Sequence, residues 1–130
     1  MDWTRMVTAE ARQARRAEEL REAVNAERER RLTSGAPIPV DGLDEPVMVQ
    51  GRVEDRINLA ALRDMAMEAP ADAPMWFRDA LDRTVPMTAA QLVQMADRAR
   101  AKALAIYAAA HALKDAPETP ADFADDRHWP

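Results

Sequence analysis

Cysteine is absent from the 130-residue chain, so disulfides and thiolate metal sites are excluded. Its three glycines, Gly35, Gly42 and Gly51, are too few and too far apart for a phosphate-cradling loop. Ser34 is the sole serine and lacks the Gly-x-Ser-x-Gly context of a hydrolase nucleophile. Neither histidine sits in a metal-binding spacing. These gaps lead us to expect no enzyme, no cofactor and no metal.

Long apolar runs are also missing, and none approaches the roughly 18 residues of a membrane span. The first residues, MDWTRMVTAEARQARR, lack the apolar core of a secretion signal. The net charge of −5 argues against binding to nucleic acid or to an anionic membrane. We therefore expect a soluble protein made in a cytoplasm.

Bulky aliphatic residues are scarce for a self-sufficient globule. Leu, Ile, Val and Phe together number 22, whereas Ala alone numbers 28. Alanine favours helices but buries little apolar area, so a core made mostly of it is thin. We expect a partner to compensate, either another copy of the chain or a larger protein.

The pattern of helix formers and turn residues predicts a mainly α (α+β) fold with three helices and two small β-hairpins. Residues 1–33 form a charged N-terminal helix or arm, and 34–116 a hairpin–helix–hairpin–helix domain. Residues 117–130 form an irregular, proline-rich acidic tail. One domain with an arm or tail outside it suits a chain of this length.

The first helix is predicted over residues 2–32, where strong helix formers dominate and no Gly or Pro intervenes. Seven positive and six negative charges alternate between Glu10 and Arg31, with Arg15–Glu19 and Glu27–Arg31 at the i, i+4 spacing. Two interpretations stay open: a solvated helix lying on the domain, or a coiled-coil or arm helix that meets copies of itself. Its narrow apolar stripe comprises Trp3, Met6, Val7, Ala14, Ala17, Leu20 and Val24.

A first hairpin is predicted with Val40 on one side, Val47–Val49 on the other, and Asp41-Gly42 as its turn. The nearby prolines indicate edge strands. The second helix follows Gly51, and its broad apolar face is typical of a helix packed on two sides. That face comprises one stripe of Val53, Ile57, Ala61 and Met65, with Leu59, Leu62 and Ala66 beside it.

Residues Trp76–Leu92 predict a second hairpin that leads directly into the third helix. Thr88 and Gln91 match a capping box, in which each side chain bonds a free amide of the other residue. The third helix, Ala89 to about Lys114, is either the core helix of the domain or the axis of an oligomer. Its apolar seam with 4-3 spacing comprises Leu92, Ala96, Ala99, Ala103, Ile106, Ala110 and Leu113.

Carboxylates around the second hairpin are interpreted as structural. Asp79 and Asp82 are expected to form the turn by bonding nearby amides. Arg78 and Arg83 are expected to make ion pairs across the hairpin. The methionines near this hairpin are expected to fill an irregular core, or else to provide an adaptable binding surface. They are Met65, Met67, Met75 and Met87.

The tail after Asp115 contains three prolines and predominantly acidic charges, which makes disorder the default interpretation. The alternative is an arm docked by Phe123 and Trp129 on its own or a neighbouring subunit.

The block from Gly51 to Lys114 resembles a tailed-bacteriophage domain family of unknown function, encoded beside tail-fibre and tail-fibre-assembly genes. An Arg-rich N-terminal helix and a Trp-Pro end are also shared, whereas Arg83 stands where that family often has Asn. The matching pieces are Asn58-Leu59, Trp76-Phe77-Arg78-Asp79, Asp82 to Met87, the Thr88 cap and Leu113-Lys114.

The resemblance implies a non-enzymatic virion component that binds a tail-fibre or baseplate subunit. It equally allows a tail-fibre assembly chaperone that promotes fibre trimerisation, and less readily a small soluble prophage regulator. The implied location is the bacterial host cytoplasm during assembly and then the virion tail. The implied partners are a tail protein and copies of the chain, with no nucleic acid and no membrane. We predict as partner-binding residues Trp3, Leu20, Val24, Trp76, Phe77, Phe123 and Trp129.

Overall fold

The computed structural model describes residues 3–130. They form three helices and two separate antiparallel hairpins, which confirms the predicted fold class. The elements are α1 (Trp3–Thr33), β1 (Ala36–Ile38), β2 (Val47–Val49), α2 (Val53–Glu68), β3 (Pro74–Arg78), β4 (Thr84–Thr88) and α3 (Ala89–Asp115), followed by a 3₁₀ turn (Asp126–His128). No helix within residues 3–130 is long and apolar enough to cross a membrane.

Helix α3 is the core helix, and its predicted seam is buried apart from the half-buried Ala99. Its N-terminal half packs with α2 and both hairpins into one apolar cluster around Leu92 and Met95. Its C-terminal half packs with the end of α1 and with the tail into a second cluster around Val24 and Ile106. The alanines of the seam leave room for both neighbours because their side chains are small.

The second hairpin and its helix start are as predicted. Strands β3 and β4 pair along their whole length, with Trp76 opposite Pro86. The Thr88 amide donates to Gln91 Oε1 at 2.9 Å, and the Gln91 amide donates to Thr88 Oγ1 at 3.1 Å. The capping box therefore forms completely, because all its partners lie within one turn of chain.

Asp79 forms the turn of this hairpin from a buried position. Its carboxylate accepts hydrogen bonds from the backbone amides of Leu81 and Arg83 and from the Arg83 guanidinium. Burial alone would raise the pKa of Asp79, but the amide and charge of Arg83 more than offset it and lower the pKa. Arg78 pairs with Asp82 at 3.1 Å. Arg78 and Arg83 therefore each form an ion pair across the turn. Asp79 bonds the turn amides as expected, whereas within residues 3–130 the Asp82 carboxylate pairs with Arg78 and accepts no backbone amide.

The first hairpin begins earlier than the sequence predicts. Ile38 pairs with Val47, whereas Val40 lies outside the strand, in a loop that spans residues 39–46. The expected turn exists at Asp41-Gly42, but it docks on α3: the Asp41 amide donates to Gln94 Oε1 at 2.7 Å. A contact with a residue 53 positions away sets this loop, so local turn signals misplace the strand.

Helix α2 packs on one side only, which corrects the expectation of two. Leu59 and Ala66 are buried against the core, but Val53 and Ile57 are each 63% exposed. The remainder of the outward stripe, Ala61 and Met65, is exposed as well. The core interpretation of the methionines is likewise wrong for Met65 and Met67, which both face solvent.

The tail is folded against its own chain, and the default expectation of disorder is wrong. Trp129 is only 7% exposed, and Phe123 packs at the edge of the same cluster. The Trp129 indole donates to the Phe123 carbonyl at 2.8 Å, which closes the tail into a compact loop. Packing of Trp129 and Phe123 therefore holds a segment whose composition alone predicts a flexible chain.

Candidate interaction surfaces

The N-terminal half of α1, residues 3–19, is called the arm below. Every arm residue is exposed except Met6, which is half-buried. At a rise of about 1.5 Å per residue, this half extends roughly 25 Å. Trp3 is 68% and Val7 60% exposed on it. Two large apolar side chains therefore lie in water on one face of the arm.

The C-terminal half of α1, residues 20–33, packs on the domain. Val24 is fully buried, and Leu32 nearly so, against α3 and the tail. Asn25 accepts a hydrogen bond from Lys114 Nζ at 2.8 Å. The helix is therefore anchored at one end and uncovered at the other.

Arg31 links the packed half of α1 to the tail. Its guanidinium lies 5.0 Å from the ring centre of Trp129 and 2.8 Å from Asp126 Oδ1. The same side chain pairs with Glu27, as the spacing predicts, at 2.9 Å. Hydrogen bonding to Arg30, together with the charge of both arginines, lowers the pKa of Glu27 despite partial burial. The other predicted pair, Arg15–Glu19, is not among the ion pairs of residues 3–130.

The predicted partner-binding residues fall into three groups. Trp3 and Trp76 are well exposed, at 68% and 65%. Val24 and Trp129 are buried inside the chain, so in this arrangement they have no surface to offer a partner. The remaining three, Leu20, Phe77 and Phe123, are half-buried.

Strand β3 explains the different fates of Trp76 and Phe77. Successive side chains of a strand point to opposite faces, and Phe77 takes the face that packs on the core. Trp76 takes the outer face, with Pro86 opposite on β4. This hairpin therefore presents Trp76 on its outer face and Leu81, also exposed, at its tip.

Within residues 3–130 no group of three or more His, Asp or Glu side chains is arranged to hold a metal ion. His128 Nε2 lies 3.0 Å from Asp122 Oδ1 in the tail loop, where the contact ties two tail residues together.

Comparison with known proteins identifies the family of this chain. A protein family described as a domain of unknown function, DUF4376, matches residues 11–127. The chain belongs to the DUF4376 family. The match spans residues 11–19 of the arm, the packed half of α1, both hairpins, α2, α3 and the tail as far as Arg127. It therefore covers the first apolar cluster and all of the second except Trp129. Neither the curated proteins nor the solved structures gave a match.

Two features of this DUF4376 chain escape sequence reasoning. Arg31 holds the tail through residues more than 90 positions away, and no local pattern marks such a contact. The boundary between the arm and the packed half of α1 is also invisible, because charges alternate through both. A partial signal is the apolar stripe itself, which between Val7 and Leu20 offers only alanines.

Proposed function

We propose that the chain is a non-enzymatic phage tail-associated protein that uses its arm to bind a tail-fibre or baseplate subunit as a component of the virion. The observation that supports this is the uncovered stripe of the arm, where Trp3 and Val7 face water. Exposed apolar residues on an otherwise charged helix are a feature of protein–protein contacts. The resemblance to a phage domain family encoded beside tail-fibre genes favours a tail-fibre or baseplate subunit as the partner.

The tail peptide does not serve as the docking element in this proposal. Trp129 and Phe123 contact the chain's own α1 and α3, so releasing them would expose the second apolar cluster. The arm takes over that role, since it can bind without any loss of packing in the domain.

Particle composition tests the proposal. The full chain and two single variants, Val7→Asp and Thr8→Asp, are produced during phage growth and measured in purified particles. Both positions are exposed and β-branched, but Thr8 lies about 100° around the helix from Val7. We expect wild type and Thr8→Asp at a fixed ratio to fibre and Val7→Asp at least tenfold depleted. Equal incorporation of both variants would contradict a role for the arm.

The second candidate function is a chaperone for fibre trimerisation. The same exposed stripe of the arm supports it, because a chaperone would bind fibre subunits through such a surface and then release them. In that case the chain binds fibre subunits in infected cells but is missing from purified particles. The third candidate, a soluble prophage regulator, would neither bind fibre subunits in infected cells nor be present in purified particles.

Self-association through the arm is part of the same proposal, because the arm's charges of both signs can pair between parallel copies. Analytical ultracentrifugation at micromolar concentration should show an oligomer for wild type and Thr8→Asp and a monomer for Val7→Asp. A monomeric wild type would remove self-association from the proposal and leave fibre binding to be decided by particle composition.

A further inference from the structure

A groove of about 420 Å³ lies between the end of α1, the first hairpin, α2 and α3, away from the arm. Its floor is apolar, with Leu59, Ala103 and Ile106 among the lining side chains. Leu104 stands at its edge and is exposed. The volume falls within the range of binding sites, and nothing in residues 3–130 fills it.

Five cations line this groove, and no carboxylate does so among the described residues. The cations are Arg31, Arg56, Arg63, Arg100 and Lys102. This is a local excess of positive charge on a chain whose net charge is −5. The groove therefore differs in sign from the protein as a whole.

Three of these cations, Arg56, Arg100 and Lys102, make no ion pair within the part of the chain that the structure describes. The other two are paired, Arg31 with Glu27 and Arg63 with Asp97 at 2.7 Å.

Arg56 also has an unsatisfied hydrogen-bond donor, because its Nε is buried and contacts no acceptor within residues 3–130. Its guanidinium bonds the Tyr107 hydroxyl at 3.1 Å and faces that ring. A buried donor without an acceptor destabilises the structure, so an acceptor supplied by a ligand would be favoured here.

We propose that this groove binds an acidic amphipathic helix of a partner protein, with apolar side chains on the floor and carboxylates on the cationic rim. Laying an amphipathic helix into an apolar groove is a common mode of peptide recognition. Charge complementarity selects the occupant. The arm of a second copy, residues 3–19, carries four arginines and three glutamates, so its small net positive charge does not match a cationic rim. The groove is a second surface, and the proposal that it binds a partner does not depend on the role proposed for the arm.

Fluorescence anisotropy with synthetic peptides tests this inference on the purified full chain. The probe is a labelled helical peptide with leucines along one face and glutamates on the other, and its matched control carries lysines in place of the glutamates. We expect binding of the glutamate peptide at least tenfold tighter than that of the lysine peptide, weakening as salt rises. Equal affinity for both peptides would overturn the proposal.

Variants locate the binding on the chain. Arg100→Glu with Lys102→Glu should weaken the glutamate peptide at least tenfold, whereas Arg15→Glu with Arg16→Glu on the arm should not. Leu104→Asp should weaken it several-fold, whereas Leu81→Asp at the tip of the second hairpin, equally exposed, should not. All of these side chains except half-buried Lys102 are exposed, and circular dichroism verifies that each variant folds.

The assignment would be contradicted if the groove variants bound the glutamate peptide as tightly as wild type. It would also be contradicted if the arm variant weakened binding as much as the groove variants do. Dodecanoate provides the remaining discrimination, because a fatty acid shares the combination of an apolar tail and a carboxylate. Displacement of the peptide by micromolar dodecanoate would make the groove a lipid site and overturn the assignment to a protein helix.

Discussion

The two halves of α1 have similar sequences and opposite environments. Both alternate arginine and glutamate, and both place apolar residues at helical spacing. The packed half buries Val24 between α3 and the tail, whereas the arm leaves Val7 and Trp3 in water. Charge alternation thus does not decide whether a helix is covered. What decides it is whether other parts of the chain, here α3 and Trp129 of the tail, pack against it.

The largest contrast between the halves is expected from tryptophan removal. Trp129→Ala should destabilise the protein by about 3–5 kcal/mol, because it removes the largest side chain of the second apolar cluster and leaves a cavity there. Trp3→Ala on the arm should change the free energy of unfolding by less than about 0.5 kcal/mol. Urea unfolding followed by circular dichroism measures both. A small effect of Trp129→Ala would show that the tail does not hold α1.

Valine truncation makes the same comparison within one helix. Val24→Ala should cost about 2 kcal/mol because a fully buried side chain loses its packing. Val7→Ala should be close to neutral, and slightly stabilising through its better helix propensity. Thermal unfolding of the two variants measures the difference. Equal changes at both positions would mean that the arm is packed as firmly as the rest of α1.

A smaller effect is expected from pH. The lowered pKa of Glu27 means that its ion pairs stabilise the fold above the carboxyl's unfolded pKa. That stability is lost as pH falls through the lower, folded pKa. In wild type, the free energy of unfolding should decrease as pH falls below about 4.5, and in Glu27→Gln this decrease should be smaller. The difference should be less than about 1 kcal/mol, because Arg30 is exposed to solvent. Urea unfolding at a series of pH values measures this, and an acid profile for Glu27→Gln identical to that of wild type would contradict this account.

Features of the fold that depend on residues close in sequence are predictable, whereas those that depend on distant residues are not. The α3 seam and the Thr88–Gln91 box were predicted because residues within one or two turns determine them. The strand at Ala36–Ile38 was misplaced because Asp41 is held by Gln94 across the fold. Periodicity revealed the outer stripe of α2 around Val53 and Ile57 without revealing that nothing within residues 3–130 covers it.

The candidate surfaces were less predictable than the fold. The sequence ranked Trp3 and Trp129 together as partner contacts, yet one is exposed and the other buried. Burial of a single aromatic residue depends on distant side chains such as Arg31, which composition cannot reveal. The cationic groove was missed altogether, since its lining comes from five separate elements.

Hydrogen exchange along α1 tests the central claim most directly, namely that the arm is uncovered in the free chain and covered in the tail assembly. An isolated helix of about 17 residues is marginally stable in water, so its amides exchange quickly. In a dilute monomeric sample, we predict fast exchange over residues 4–19 and strong protection over 22–33. Bound to particles, the arm should become protected while the packed half changes little. An arm already protected in the monomer, or still unprotected in particles that contain the chain, would contradict the account.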